Sequence, residues 1–263
     1  MPRTNDAELA ATRARVTRGW LVLIFCLLMV PVSAVGSCAG GFLLPESNRA
    51  FIILPAFVLP VVFLIAAFFA RRPGKAATAE IAIIRWADEN GFVYHRQADG
   101  KTAADRVYKM GGQTERKFHM TGEVGGTHVE LLNRWTRNEL PEVMEVEAEQ
   151  TEIALVGAVP RDLDFVLIPK REMGEVNDLT TGERVRFRDD PELDRAFIIY
   201  SENAAAIEGG LPERFVGKCL KRPEYTVVAR GGTLVVFRLN YVCAADGYDF
   251  LLDHALALAG ALS

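Results

Sequence analysis

The chain is poor in the side chains that build metal sites. Its 263 residues include four cysteines and four histidines. No two cysteines have the Cys-x-x-Cys spacing of a structural zinc site. We therefore interpret all four as free thiols that pack as small hydrophobic side chains. They are Cys26, Cys38, Cys219 and Cys243.

Motifs of well-known enzyme classes are missing as well. The sequence has no Gly-x-Ser-x-Gly elbow, no Gly-x-x-x-x-Gly-Lys-[Ser/Thr] phosphate loop, no His-Glu-x-x-His and no Gly-x-Gly-x-x-Gly opening a helix. A cysteine nucleophile could be assembled from Cys219 or Cys243 with His254, but nothing in the sequence brings them together. We assign no catalytic, cofactor-binding or metal-binding residue, and an enzyme of unfamiliar type stays a hypothesis.

Neither sign of charge is in surplus. Thirty Lys and Arg residues against 34 Asp and Glu residues give a formal net charge of −4. A nucleic-acid-binding protein normally carries a basic excess, so nucleic acid is not predicted as a partner.

Two long apolar runs are the strongest positive signal. Residues 20–44 and 51–70 contain no charged side chain, and each run can cross a hydrocarbon core of roughly 30 Å at about 1.5 Å per residue. Only the short segment 45–50 separates them. We predict a transmembrane helical hairpin over residues 19–72, after a polar tail at residues 1–18. Because neither run contains an ionisable side chain, transport of charge is not indicated.

Basic residues flank the hairpin on one side. Those before the first run and after the second outnumber the single Arg49 between the runs, and such residues are retained in the cytoplasm. We predict that both termini and the large domain are cytoplasmic. Alternatively, the first run is an export signal that ends at a lipidated Cys38; residues beyond 76 would still be cytoplasmic. The flanking residues are Arg13, Arg15, Arg18, Arg71, Arg72 and Lys75.

The remaining residues, 76–263, are enough for one domain. Apolar periodicity predicts a helix from Ala76 to a C-cap at Asn90–Gly91, followed by a strand at 92–95 and a loop or weak helix over 97–112. Gly125–Gly126 and Gly231–Gly232 predict two tight hairpins. Buried strands are expected at 153–159 and 165–169, and helices after Pro212 and from about Tyr248. The predicted class is α+β, with mainly antiparallel strands and a few flanking helices.

Two charged stretches are candidate contact surfaces. Six glutamates between 139 and 152 predict a solvated strand edge, although a basic partner or a divalent cation could bind there. Arg184, Arg186 and Arg188 alternate with apolar residues and either balance the acidic stretch or contact a partner or anionic lipid. The same role is open to Arg71, Arg72 and Lys75.

The first hairpin holds two of the four histidines. Pairing about its turn places His128 near Glu123 and His119 near Leu132. This layout does not gather three metal ligands locally.

One resemblance rests on several separate stretches. These are the two apolar runs, the Thr-Gly-x-x-Gly-Gly turn at 121–126, the segment Asp190–Tyr200 and the Leu-Pro-x-x-Phe start of a helix at 211–215. Together they resemble an uncharacterised family of bacterial two-helix membrane proteins, except that Ala196 stands where a bulky residue is usual. The resemblance implies the architecture above and a place in the bacterial inner membrane, and it implies no catalytic residue.

Three hypotheses of function follow. The first is a membrane-anchored cytoplasmic domain that binds another protein or itself in a scaffolding or regulatory role. The second is a sensor of anionic lipid or a small ligand, and the third is an enzyme of unfamiliar type. The expected partners are the lipid bilayer and a protein.

Overall fold

The computed structural model describes residues 5–43, 61–62, 76–96, 100–108, 113–138, 146–175, 182–187, 190–207 and 209–263. The chain divides into two compact units, Met1–Trp86 and Ala87–Ser263.

In its described residues, the first unit contains the long helix α1 (Asn5–Leu43), two helical residues at 61–62 and most of the helix α2 (76–89). The first apolar run therefore does not begin a helix of its own, because α1 starts within the polar tail and continues through the run. Most of the second run, 51–70, lies outside the described residues. In the part of the chain that the structure describes, no helix has the length and apolar character required for crossing a membrane.

The second unit is an α+β structure built on one large sheet, which confirms the predicted class. Among the residues that the structure describes, nine strands run in the order β1-β2-β3-β4-β9-β8-β5-β7-β6, and every neighbouring pair is antiparallel. The strands are β1 (Val93–His95), β2 (Gln113–Val124), β3 (Thr127–Asn138), β4 (Val146–Val156), β5 (Phe165–Pro169), β6 (Glu183–Val185), β7 (Phe197–Ser201), β8 (Thr226–Arg230) and β9 (Thr233–Phe237).

Both predicted glycine hairpins are present. Gly125–Gly126 joins β2 to β3 and Gly231–Gly232 joins β8 to β9, and all four glycines have positive φ. Such φ values are strained for side chains that carry a Cβ. The register also agrees with the prediction, since His128 pairs with Glu123 and His119 with Leu132.

In the described part of the second unit, five helices follow α2 in the chain. They are α3 (Ala103–Val107), α4 (Pro191–Ala196), α5 (Ala204–Ile207), α6 (Glu213–Lys221) and α7 (Tyr248–Leu262). Short 3-10 turns lie at Lys170–Glu175 and Ala245–Gly247. The predicted helices at 76–90, after Pro212 and from Tyr248 are confirmed, and the uncertain stretch 97–112 contributes the short helix α3.

Side chains of the sheet alternate between two covered faces. On one face, α3 packs over a core that includes Leu132, Ala154, Val235 and Phe237. On the other face lie α6 and α7, where Phe215 contacts Phe165 and Tyr248 contacts Phe118. Because both faces are covered, the central strands are apolar on both sides.

Candidate functional site

The predicted basic contact residues are placed only in part. Arg71, Arg72, Lys75 and Arg188 lie outside the described residues. Arg184 and Arg186 are exposed, whereas Val185 and Phe187 are buried, so the predicted alternation is present. The strand itself, β6, is only three residues long and lies at the end of the sheet, separated from β4 by four other strands. Direct charge balance between the arginine row and the described part of the acidic stretch is therefore wrong.

The acidic stretch is not simply a solvated edge either. Glu139, Glu142 and Glu145 lie outside the described residues. Glu149 forms an ion pair with Lys117 at 2.8 Å, with both side chains partly exposed. Glu152, in contrast, is completely buried. The prediction failed at Glu152 because its side chain points to the face that α3 covers.

Glu152 belongs to a buried ionic cluster with Arg134 of the adjacent strand. Arg134 donates two hydrogen bonds to the carboxylate, at 2.7 and 3.0 Å, and Gln150 donates a third at 2.8 Å. The Arg134 side chain is 2% exposed and that of Glu152 is 1% exposed. Burial acts to lower the pKa of Arg134. Its electrostatic interactions with Tyr108, Glu152 and Asp105 outweigh burial and raise this pKa overall. A bidentate pair of this kind is a strong, directional contact.

Helix α3 supplies the second carboxylate of the cluster, Asp105. It accepts hydrogen bonds from Arg134 at 2.8 Å and from Arg116 at 2.5 Å. Asp105 also accepts a hydrogen bond of 2.8 Å from the backbone amide of Thr102, and the Thr102 side chain in turn accepts one from the Asp105 amide. The two bonds form a capping box at the start of α3. Burial acts to raise the pKa of Asp105, but the Thr102 amide and Arg134 hold it below its ordinary value.

Tyr108, just after α3, closes the cluster. The Arg134 guanidinium lies 5.2 Å from the centre of its ring, and the ring stacks on Phe237 at 5.5 Å. Burial raises the pKa of the phenol well above 10.0, and the charge of Glu152 raises it further. The phenol is therefore protonated at neutral pH and cannot serve as a base there.

A second polar group surrounds Glu130. Its carboxylate accepts a hydrogen bond of 2.8 Å from the backbone amide of Ala103. The carboxylate oxygens also lie 3.3 Å from Nε2 of His119 and 3.6 Å from Nε2 of His128. His95 approaches His119 with 6.0 Å between ring centroids. Burial acts to raise the pKa of Glu130, whereas the His119 contact and the Ala103 amide lower it overall.

Within the described ranges, no group of three or more His, Cys, Asp and Glu side chains is arranged to hold a metal ion. Glu130 instead holds the start of α3 by its hydrogen bond to the Ala103 amide. Asp105 holds the first turn of α3 by its hydrogen bonds to Arg116 and Arg134. Both polar groups thus attach a short helix to the sheet.

The cysteines are poor candidates for a nucleophile. Burial raises the pKa of the Cys219 thiol to about 12. Burial and the charge of Asp246 raise the pKa of the Cys243 thiol to about 11. The thiolate is the nucleophilic form, and both pKa values keep it scarce near neutral pH. Burial also lowers the pKa of His254.

Exposed apolar side chains of the second unit lie beside arginines in two aromatic–arginine pairs. Tyr241 and Val242, in the loop before α7, are 42% and 43% exposed, and Phe250 on α7 is 42% exposed. The Arg222 guanidinium lies 4.7 Å from the ring centre of Phe250, and that of Arg238 lies 4.8 Å from the ring centre of Tyr241. We call these five residues the aromatic patch. Aromatic and Arg side chains are enriched where proteins bind one another.

Sequence reasoning missed the aromatic patch. Phe250 and His254 are four residues apart on a helix, so they share one side of α7, and their rings are stacked 6.1 Å apart. This spacing was visible in the sequence. The position of Arg222 over Phe250 was not, because it depends on how α6 packs against α7.

No protein-family model, curated protein or solved structure matches this chain. The fold defines the second unit as an antiparallel α+β structure.

Proposed function

We propose that this chain is a membrane-anchored interaction module of the bacterial inner membrane. In this proposal residues 19–72 form a two-helix membrane hairpin, and the α+β unit binds a protein on the cytoplasmic side. The resemblance to two-helix membrane proteins supports the same architecture. The ion pair between Arg15 and Glu80 is the observation that carries the proposal.

The exposed surface of α1 supports the membrane part. Trp20, Leu21 and Leu28 are 57%, 61% and 63% exposed, and Val22, Ile24 and Phe25 are about half exposed. At about 100° per residue these positions cover roughly 200° of the helix circumference, which is wider than the apolar stripe of a surface helix. An exposed apolar surface of this width is costly in water and suits a lipid environment.

An ion pair supports the hairpin arrangement. Arg15 lies before the first apolar run and Glu80 after the second, and their side chains meet at 3.2 Å. Two antiparallel spans would bring these two flanks to the same membrane surface. The excess of basic residues in the flanks supports a cytoplasmic location for that surface.

The distribution of charge supports an interaction role. Arg134, Glu152, Asp105 and Glu130 are engaged in attaching α3 to the sheet. The aromatic patch has no such internal role for its exposed apolar surface. A binding function explains why Tyr241, Val242 and Phe250 are left accessible to solvent.

A second candidate function is recognition of an anionic lipid or small ligand. Arg184 and Arg186 favour it, because both are exposed on the short edge strand or just after it. Replacing both with glutamate should abolish binding of the detergent-solubilised chain to anionic vesicles if this function is correct. Unchanged binding would remove this candidate.

Fractionation of cells that express the full chain tests the main proposal. We expect the chain to stay in the membrane after a carbonate wash, and protease to digest the α+β unit only in inverted vesicles. Crosslinking in those membranes should then recover a protein in stoichiometric amount. Release by carbonate would refute the anchor, and the absence of any crosslinked protein would refute the interaction role.

A further inference from the structure

His254 of α7 is part of a stack of aromatic rings. Its ring centroid lies 5.0 Å from that of Tyr225 and 6.1 Å from that of Phe250, and the Phe250 ring is nearly parallel to it, with an interplanar angle of 6°. The Arg222 guanidinium lies 4.7 Å from the centre of the Phe250 ring. We call these four residues the histidine stack. It joins α7 to the C-terminal end of α6 and to the segment that follows α6.

The buried nitrogen of His254 favours a neutral ring. Its Nε2 is shielded from solvent, and within the described part of the chain no hydrogen-bonding group of the protein reaches this atom. A neutral imidazole can place an acceptor nitrogen at such a position, but an imidazolium carries a hydrogen on both ring nitrogens and needs a partner for each. Burying a charged donor without a partner costs more than burying a neutral acceptor. The position therefore suits His254 only while it is uncharged.

Basic residues of α6 add to this preference. Arg214, Lys218 and the C-cap residue Arg222 are spaced four residues apart, so they lie along one side of the helix. This side faces α7, because Arg214 donates a hydrogen bond of 2.9 Å to the carbonyl of Ala261 and Arg222 lies over the ring of Phe250. A proton on the imidazole would therefore place a further positive charge beside this basic row.

One carboxylate opposes the basic row. Glu224 acts to raise the pKa of His254, but it is paired with Arg222 at 3.7 Å. Burial is the largest influence in the other direction, and the charges of Arg222 and Lys218 add to it. Together they hold the pKa of His254 below its ordinary value of 6.5.

The other titratable groups near the stack leave this balance unchanged. Burial raises the pKa of Tyr225 and raises that of Cys243 to about 11, so the phenol and the thiol stay protonated near neutral pH. Asp249 and Asp253 of α7 are exposed, and solvent screens their charges.

We propose that His254 is a proton sensor that loosens the packing of α7 on α6 when the pH falls. The imidazole binds a proton more tightly once it has left the stack and reached solvent, so acid favours the opened stack. The free energy that opening requires therefore starts to fall as the pH drops to the ordinary histidine pKa of about 6.5, and it stops falling below the folded-state pKa. The change lies within the second unit and needs no partner, so it goes beyond the interaction role.

Nuclear magnetic resonance of the full chain in detergent measures the sensor itself. Isotope-labelled histidine gives ring signals for the four histidines, and the loss of one signal in His254→Gln identifies that residue. We expect its titration midpoint to lie below about pH 6.5. Lys218→Ala should raise the midpoint, because it removes a neighbouring cation, and Glu224→Gln should lower it. Lys221→Ala is the matched control: it removes the same charge from an exposed position of α6 and should shift the midpoint less than Lys218→Ala does.

Hydrogen exchange measures the loosening. Deuterium uptake by peptides of α7 is compared between about pH 7.5 and about pH 5.5, after correction for the intrinsic effect of pH on amide exchange. We expect the first turns of α7 to lose protection at the lower pH. His254→Phe keeps an aromatic ring that cannot be protonated and should abolish this loss, and His254→Gln is a second uncharged replacement. His95→Gln, which removes an exposed histidine from β1, should retain the loss. Circular dichroism reports whether each variant has folded.

Four results would each contradict the inference. One is a titration midpoint of His254 at or above about pH 6.5. The second is the absence of an acid-induced loss of protection in α7, and the third is an equal loss in both His254 variants. The fourth is an equal shift of the midpoint by Lys218→Ala and Lys221→Ala, which would refute the part assigned to the basic row. Neither measurement involves a binding partner, so a failure of the interaction role is distinguished from a failure of the sensor.

Discussion

Removal of Arg134 should be the most damaging single change in the ionic cluster. Its guanidinium is held by two hydrogen bonds to Glu152 and one to Asp105, and almost none of it reaches solvent. Arg134→Met leaves the buried Glu152 carboxylate without its cation. Breaking a buried pair in this way costs about 3–5 kcal/mol of unfolding free energy.

An exposed ion pair provides the matched control. Lys117 and Glu149 connect neighbouring parts of the same sheet, but their side chains are 46% and 30% exposed. Exposed pairs contribute about 0–1 kcal/mol. Lys117→Met should therefore lower the unfolding free energy by no more than that amount.

The double variant separates loss of the pair from loss of the charge balance. Arg134→Met with Glu152→Met removes both buried charges, and such a replacement is often close to neutral. It should be less destabilised than Arg134→Met alone.

Urea unfolding of the full chain in detergent measures these differences. Trp135 lies next to Arg134 on β3, and its fluorescence reports on the second unit when Trp20→Phe and Trp86→Phe remove the other two tryptophans. A cost below about 1 kcal/mol for Arg134→Met would refute the reasoning. A double variant that loses the sum of both single costs would refute it too.

The remaining predictions concern pH and backbone conformation. In the folded protein the pKa values of Asp105 and Glu130 lie below their ordinary values of 3.8 and 4.5. Each ionised carboxylate therefore stabilises the fold fully at a pH above its ordinary pKa. This contribution to the unfolding free energy is lost as the pH falls through the lower folded-state pKa. The unfolding free energy, measured at decreasing pH, should fall below about pH 4.5. Asp105→Asn and Glu130→Gln should each make this fall smaller. If neither variant changes how the unfolding free energy depends on pH, the two carboxylates are not its cause. Gly182→Ala should destabilise more than Gly91→Ala. Both glycines have positive φ, but only at Gly182 would the new Cβ overlap a backbone oxygen, that of Ser201. Equal costs in thermal unfolding would show that the close approach does not matter.

The elements that the sequence predicted well are those with local causes. Glycine pairs specify the two tight hairpins because few other residues tolerate positive φ. The amphipathic periods of α2, α6 and α7 are also readable, since each helix buries one side. These signals need only a few neighbouring residues.

The ionic cluster had no such local signal. Arg134 and Glu152 are 18 residues apart and meet only when β3 and β4 pair in the observed register. Asp105 comes from a polar stretch that, by composition, resembles a loop. A charged residue on a strand is normally interpreted as solvent-facing, and that interpretation fails when a short helix such as α3 covers the face.

Because the buried charges of the ionic cluster stabilise the fold, residues that bind a partner can be distinguished by experiment from residues that stabilise the fold. Substitutions at Arg134, Glu152 or Asp105 should change stability, and any effect on binding would follow from unfolding. Phe250 and Tyr241 make exposed contacts, so their substitution should change binding at nearly constant stability. A variant that loses its partner and keeps its unfolding free energy therefore identifies a functional surface, whereas parallel loss of both identifies a residue of the fold.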